Sequence, residues 1–176
     1  MISKRTFAYF GAASLSLFVA AACTRPSGGR DLLLKRFPLD TVQGVIQMTG
    51  VEADTAVKAE GQASLKVKVA EPSVIRLFET GPLDVEGAAL VYRARLRTEN
   101  AQGNVYLEMW CGLPGKGEFF SRGLESPLRG SNDWTTQETS FFLEKGDRPD
   151  NVKINIVCEG AGVVWIDDVR LLKRTP

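Results

Sequence analysis

The sequence predicts an all-β sandwich of about eight strands, and three observations carry that reading. Apolar residues recur at every second position in a series of short segments. Gly, Pro, Asn and Asp separate those segments, and no long stretch shows the 3.6-residue spacing of an amphipathic helix. The chain has 176 residues, enough for one domain with its own core, and it contains no internal repeat. Hydrophobic content of 44% and charged content of 24% are ordinary for a globular domain, which excludes a disordered or low-complexity chain.

In chain order, Leu32 to Phe37 is apolar and fits either a helical turn or a first strand. Val42, Ile46 and Met48 suggest a short strand, followed by a loop holding Glu52, Asp54 and Lys58. Ser64 to Val69 alternates, with Leu65, Val67 and Val69 on one side and Lys66 and Lys68 on the other. Val74 to Glu79 is a further strand after the Glu71-Pro72 turn. Ala89 to Thr98 alternates best: Leu90, Tyr92, Ala94 and Leu96 form a core face, and Val91, Arg93, Arg95 and Arg97 the opposite one. Asn104 to Cys111 places Val105, Leu107, Met109 and Cys111 inward and Tyr106, Glu108 and Trp110 outward. A 22-residue connection from 112 to 133 follows, long enough to be functional or to carry structure of its own, and Phe119-Phe120 are expected to fold back onto the core. Trp134 to Leu143 and Val152 to Cys158 are the next strands, the second with Lys153, Asn155 and Val157 outward.

The last strand, Val163-Val164-Trp165-Ile166-Asp167-Asp168-Val169-Arg170-Leu171-Leu172, is apolar apart from an acidic pair and one arginine. Neighbours on a strand point to opposite faces, so one of the two acids is directed inward and needs a partner. VWIDDVRLL resembles the closing strand of jelly-roll domains in the galactose-binding-like superfamily, which includes many carbohydrate-binding modules. Gly61-Gln62-Ala63-Ser64-Leu65-Lys66-Val67 matches the Gly-x-x-Ser-Leu-x-Val strand of the same group. The resemblance spans roughly residues 40–172 and implies a jelly-roll β-sandwich. In many relatives the closing-strand acids help hold a structural calcium ion, which would assign Asp168 to the metal, with Glu52 and Asp54 as the available partners. The other reading of the acidic pair is satisfaction by backbone N–H groups or an arginine.

The N-terminus reads as a secretory leader. Lys4 and Arg5 precede an apolar run from Phe7 to Val19, and the small residues Ala20, Ala21 and Ala22 precede Cys23. Small residues followed directly by cysteine resemble the cleavage box of bacterial lipoproteins. That resemblance implies removal of residues 1–22, acylation of Cys23 and anchoring in the cell envelope. Thr24 in place of Asp resembles lipoproteins sent to the outer membrane. Residues 23–31 then form a flexible tether, and 32–176 the domain. Loss of Lys4 and Arg5 takes the formal charge from +1 to −1, a balance that suggests no nucleic acid or other polyanion as partner.

Chemistry is sparsely signalled. The chain has no histidine, which removes the commonest general base and the commonest transition-metal ligand. It has no nucleophile elbow, zinc spacing or phosphate loop, so the expectation is a non-enzymatic module. Tyr106, Glu108 and Trp110 form the candidate binding patch: two aromatics on one sheet face with a carboxylate between them, suited to stacking sugar rings and accepting from hydroxyls. A glycan is therefore the expected partner. A protein-interaction or structural module of an envelope assembly is the alternative, and it would show a broader apolar patch. Cys111 and Cys158 both end core-facing strands and are either a disulfide in an oxidising compartment or two buried thiols.

Overall fold

A computed structural model describes residues 30–175. The leader, Cys23 and most of the tether lie outside the described residues. The described chain contains nine strands and no helix: β1 (Asp31–Phe37), β2 (Val51–Asp54), β3 (Ser64–Val69), β4 (Ser73–Thr80), β5 (Ala88–Leu113), β6 (Gly117–Arg122), β7 (Leu128–Leu143), β8 (Asn151–Cys158) and β9 (Gly162–Arg174). All pairings are antiparallel. The open alternative for Leu32 to Phe37 resolves as a strand. The segment holding Val42, Ile46 and Met48 is not one; Ile46 and Gln47 instead donate backbone N–H groups to Leu77 and Arg76 at the edge of β4.

The architecture turns on β5. Alternation predicts two strands there, yet Ala88 to Leu113 runs as one strand of 26 residues. Bulges bend it without ending it: its register against β7 shifts three times between Leu96 and Val105, and Asn100 sits at φ 53°. The first half pairs with β7 and β9, the second with β6 and β8. One layer is thus β2, β3 and β1 against β9, then β5 and β7; the other is β4, β8, β5 and β6. Inward residues of both layers meet in one apolar core that includes Leu65, Leu90, Tyr92, Leu107, Met109, Ile154, Ile156 and Ile166. Burial of such alternating faces is the main source of stability for a sandwich.

The Gly-x-x-Ser-Leu stretch has a local cause. Gly61 adopts φ +62°, and a Cβ there would lie 2.6 Å from Asp40 Oδ1. That same oxygen accepts from the N–H groups of Gln62 (2.6 Å) and Ala63 (3.1 Å), which holds the Asp40 carboxyl below its usual range. Only glycine gives the turn its handedness and leaves room for the carboxylate.

The connection after Gly112 carries hidden structure. Gly117 to Arg122 folds back as β6 along β5, and β7 begins at Leu128. Phe119 and Phe120 are not packed into the core as expected: both remain exposed. Among the described strands theirs pairs only with β5 at the sheet edge, so both of its faces reach solvent, with Phe120 against Trp110 and Phe119 against Phe141.

The proposed pairing of Cys111 with Cys158 is corrected by register. Their strands are neighbours, but Cys111 lies opposite Val152 and Cys158 opposite Val105. Six residues of strand separate the two levels, roughly 20 Å at the rise of a β-strand, against the 4.4–6.8 Å between Cα atoms that a disulfide spans. Both are free, buried thiols, and burial pushes each up to about 12.

Candidate functional site

The outward face of the β4–β8–β5–β6 layer is built in transverse rows. Cross-strand partners set Arg76, Asn155, Glu108 and Arg122 in one row, from β4 through β8 and β5 to β6. The next row holds Glu79, Lys153, Trp110 and Phe120, and the row on the other side Val74, Val157 and Tyr106. Every second residue of each strand points to this face, so these side chains share one surface.

Glu108 is the centre of that surface. It is only 3% exposed, and both its oxygens are occupied. Oε1 accepts from Trp110 Nε1 at 2.8 Å and Asn155 Nδ2 at 3.1 Å, and Oε2 from Arg122 Nε at 2.7 Å. Burial alone would raise this carboxyl; the bonds from Trp110, Arg122 and Asn155 outweigh it and hold it below the usual carboxylate range. The bond to Glu108 in turn raises the Arg122 guanidinium. Glu108 therefore orients Trp110, Asn155 and Arg122 rather than offering free lone pairs.

Trp110 is half-buried and packs against Phe120, with ring centroids 5.0 Å apart and planes tilted by 43°. Arg122 stacks over the Phe120 ring at 4.7 Å. Lys153 forms an ion pair with Glu118 beside them. Trp110, Arg122, Lys153 and Glu118 line, with Arg76 and Val74, a shallow groove of about 500 Å³, and Phe120 packs against Trp110 beside it.

Of the three residues expected to bind, all face away from the core, and one is accessible. Tyr106 and Glu108 are buried, contrary to the expectation of two exposed aromatics flanking a free carboxylate. Tyr106 lies opposite Val157 and donates its hydroxyl to Glu159 at 3.3 Å; burial and the Glu159 charge raise its pKa. The second accessible aromatic is Phe120. It was missed with Arg122 because the segment read as a loop, although Glu118-Phe119-Phe120-Ser121-Arg122 is long enough for an edge strand.

The calcium assignment to Asp168 and Glu52 does not fit. Glu52 is on β2, paired with Lys66 and Lys68 at 3.6 Å each, and β3 stands between it and β9. Asp168 forms ion pairs with Arg170 and Arg36. Asp167 accepts from the N–H groups of Ala59 (2.8 Å) and Glu60 (2.9 Å), with burial raising its pKa. Among the described residues no group of three or more His, Cys, Asp or Glu side chains is arranged to hold a metal ion. The acidic pair is satisfied by backbone donors and arginines, the other reading of its sequence.

The described domain is an antiparallel β-sandwich, and its fold is like that of carbohydrate-binding modules of the galactose-binding-like type. No protein-family model and no curated protein matches the sequence. Solved structures match by fold. The CBM22-1 xylan-binding domain of Paenibacillus barcinonensis Xyn10C has a TM-score of 0.57 at 10% identity, with 85% of this chain and 97% of that one covered. The Clostridium thermocellum endo-1,4-β-D-xylanase 10B CBM22-1–GH10 modules, complexed with xylohexaose, give 0.58 at 11% identity over 82% of this chain and 29% of that one. A family 16 carbohydrate-binding module gives 0.51 at 12% identity, covering 69% and 84% respectively. At such identities the likeness is one of fold.

Proposed function

We propose that this protein is a non-catalytic carbohydrate-binding module, and that the groove over Glu108 is its binding face. The observation that supports it is the partly exposed Trp110–Phe120 pair beside a hydrogen-bonded Glu108–Asn155–Arg122 row. Aromatic faces accept the C–H surface of a sugar ring, and fixed guanidinium and amide groups bond hydroxyls without reordering. The named fold neighbours include a xylan-binding domain and modules complexed with xylohexaose, which is consistent with a glycan chain as ligand. A protein-docking surface would favour a broad apolar patch, whereas the groove alternates aromatic and charged groups.

In the same reading the protein is a lipoprotein held at the bacterial outer membrane through Cys23. The eight residue-to-residue steps from Cys23 to Asp31 would let the domain stand up to ~28 Å from the bilayer. Cys23→Ser should leave the domain folded and release it from membranes or block its processing; a mature N-terminus without fatty acid by mass spectrometry refutes the anchor. For the binding face, the full chain in a non-sugar detergent is run by affinity electrophoresis through a panel of soluble polysaccharides. At least one should retard it, and Trp110→Ala with Phe120→Ala should abolish the retardation. Retention of binding by that double variant, with its fold intact, would remove the site.

A further inference from the structure

The charge of the groove is not balanced, and the imbalance sits at one end. Three cations line it: Arg76, Arg122 and Lys153. Arg122 is committed to Glu108 and Lys153 to Glu118. Arg76 makes no ion pair among the described residues, although Glu79 follows it on the same strand. Glu79 accepts from Asn151 Nδ2 at 3.0 Å, so its carboxylate is engaged elsewhere. Arg76 is exposed at the β4 edge of the row that runs through Asn155 and Glu108 to Arg122. At strand spacing its Cα stands about 10 Å from that of Glu108 and, counting the step of one row along the strand, about 12 Å from that of Trp110. A ligand chain that leaves the Trp110–Phe120 platform across the neighbouring row therefore meets, towards β4, a guanidinium with no ion-pair partner among the described residues, one row from the Glu79 carboxylate that accepts from Asn151.

Resting on the carbohydrate-binding reading, we infer that the groove selects an acidic glycan, one bearing a uronate carboxylate, and that Arg76 is the residue that recognises it. A guanidinium presents paired N–H donors in a planar fork that matches a carboxylate. The two acids of the groove do not repel such a ligand strongly. Glu108 is buried beneath its three donors, and Glu118 is neutralised by Lys153. Arg76 acts as a specificity determinant; the stacking on Trp110 supplies the rest of the affinity.

The test uses matched polymers: glucuronoxylan and polygalacturonate, each native and with its carboxyl groups chemically reduced to alcohols. Affinity of the full chain in a non-sugar detergent is measured at low and high salt. One exposed charge pair is worth roughly a three- to fivefold preference for a native acidic polymer over its reduced form, shrinking at high salt. Arg76→Gln should remove that preference while the reduced polymer is still bound and the melting temperature is unchanged, and Arg76→Glu should reverse it. Equal binding of native and reduced forms, or a preference that survives Arg76→Gln, overturns the role of Arg76 and leaves a neutral carbohydrate site standing. Absence of binding to every polymer, reduced or native, overturns the carbohydrate reading together with it.

Discussion

Replacing Glu108 by glutamine is the sharpest perturbation of the groove, because it keeps shape and removes one acceptor oxygen. Three donors converge on two carboxylate oxygens in the protein: Trp110 Nε1 and Asn155 Nδ2 on one, Arg122 Nε on the other. A glutamine offers one oxygen and an NH₂ group, so whichever way it turns the NH₂ faces a donor. The cheaper turn points it at Arg122, whose side chain is 40% exposed and can recover a bond to water. That choice loses one charge-assisted bond, at the low end of the 1.5–3 kcal/mol range because solvent screens it. It also makes the bonds from Trp110 and Asn155 neutral–charged no longer, and weaker. The expected destabilisation is about 2–3 kcal/mol at pH 7, read as a shift of the urea midpoint at constant slope. Since the folded-state pKa of Glu108 lies below its unfolded value, its contribution is fully present above the unfolded pKa of about 4.3 and is lost as pH falls through the folded one. The difference between the two proteins should stay level from pH 8 to 5 and shrink below that. A difference within about 0.5 kcal/mol at pH 7, or one unchanged down to pH 3, would refute the reasoning.

Two other outcomes follow from buried groups. Tyr92 is fully buried and its hydroxyl has no hydrogen-bond partner among the described residues, so Tyr92→Phe should raise stability by up to about 1 kcal/mol, seen as a higher melting temperature; a loss would mean that the hydroxyl is bonded. Cys111 and Cys158 should both be alkylated by iodoacetamide in denaturant without reductant and both resist it in the native protein, with reductant leaving the melting temperature unchanged. A linked peptide pair would contradict the strand register.

Much of the fold is legible in the sequence because a sandwich strand writes its two faces into alternate residues. Leu65, Val67 and Val69 on β3, and Val152, Ile154, Ile156 and Cys158 on β8, are buried as alternation predicts. The outward direction of Tyr106, Glu108 and Trp110 is legible for the same reason. Their accessibility is not, since it depends on which strands flank β5. Asn155 and Arg122 bury Glu108 from two different strands, and neither pairing is encoded locally. The continuity of β5 was hidden by the bulges around Asn100, where alternation lapses while the strand goes on. Register decided the cysteines: two core-facing thiols on neighbouring strands look paired until their levels are known. The tip of the site, Arg76, is legible in the sequence only as a residue within the strand Val74 to Glu79. Its meaning comes from the row it completes and from the absence of a carboxylate beside it among the described residues.

The three tryptophans provide the most direct measurement of where ligand binds. Trp110 lies in the groove, Trp165 sits on the opposite layer with its Nε1 bonded to Asp54 at 2.9 Å, and Trp134 is on that layer beside Arg95. Their indole N–H signals in a ¹⁵N–¹H spectrum are assigned by single Trp→Phe substitutions and followed as a bound polysaccharide, or an oligosaccharide cut from it, is titrated in. The account predicts that the Trp110 signal moves in a saturable way while those of Trp134 and Trp165 stay in place. Saturable movement of Trp134 or Trp165 with Trp110 unmoved would put the binding face on the other layer and contradict it.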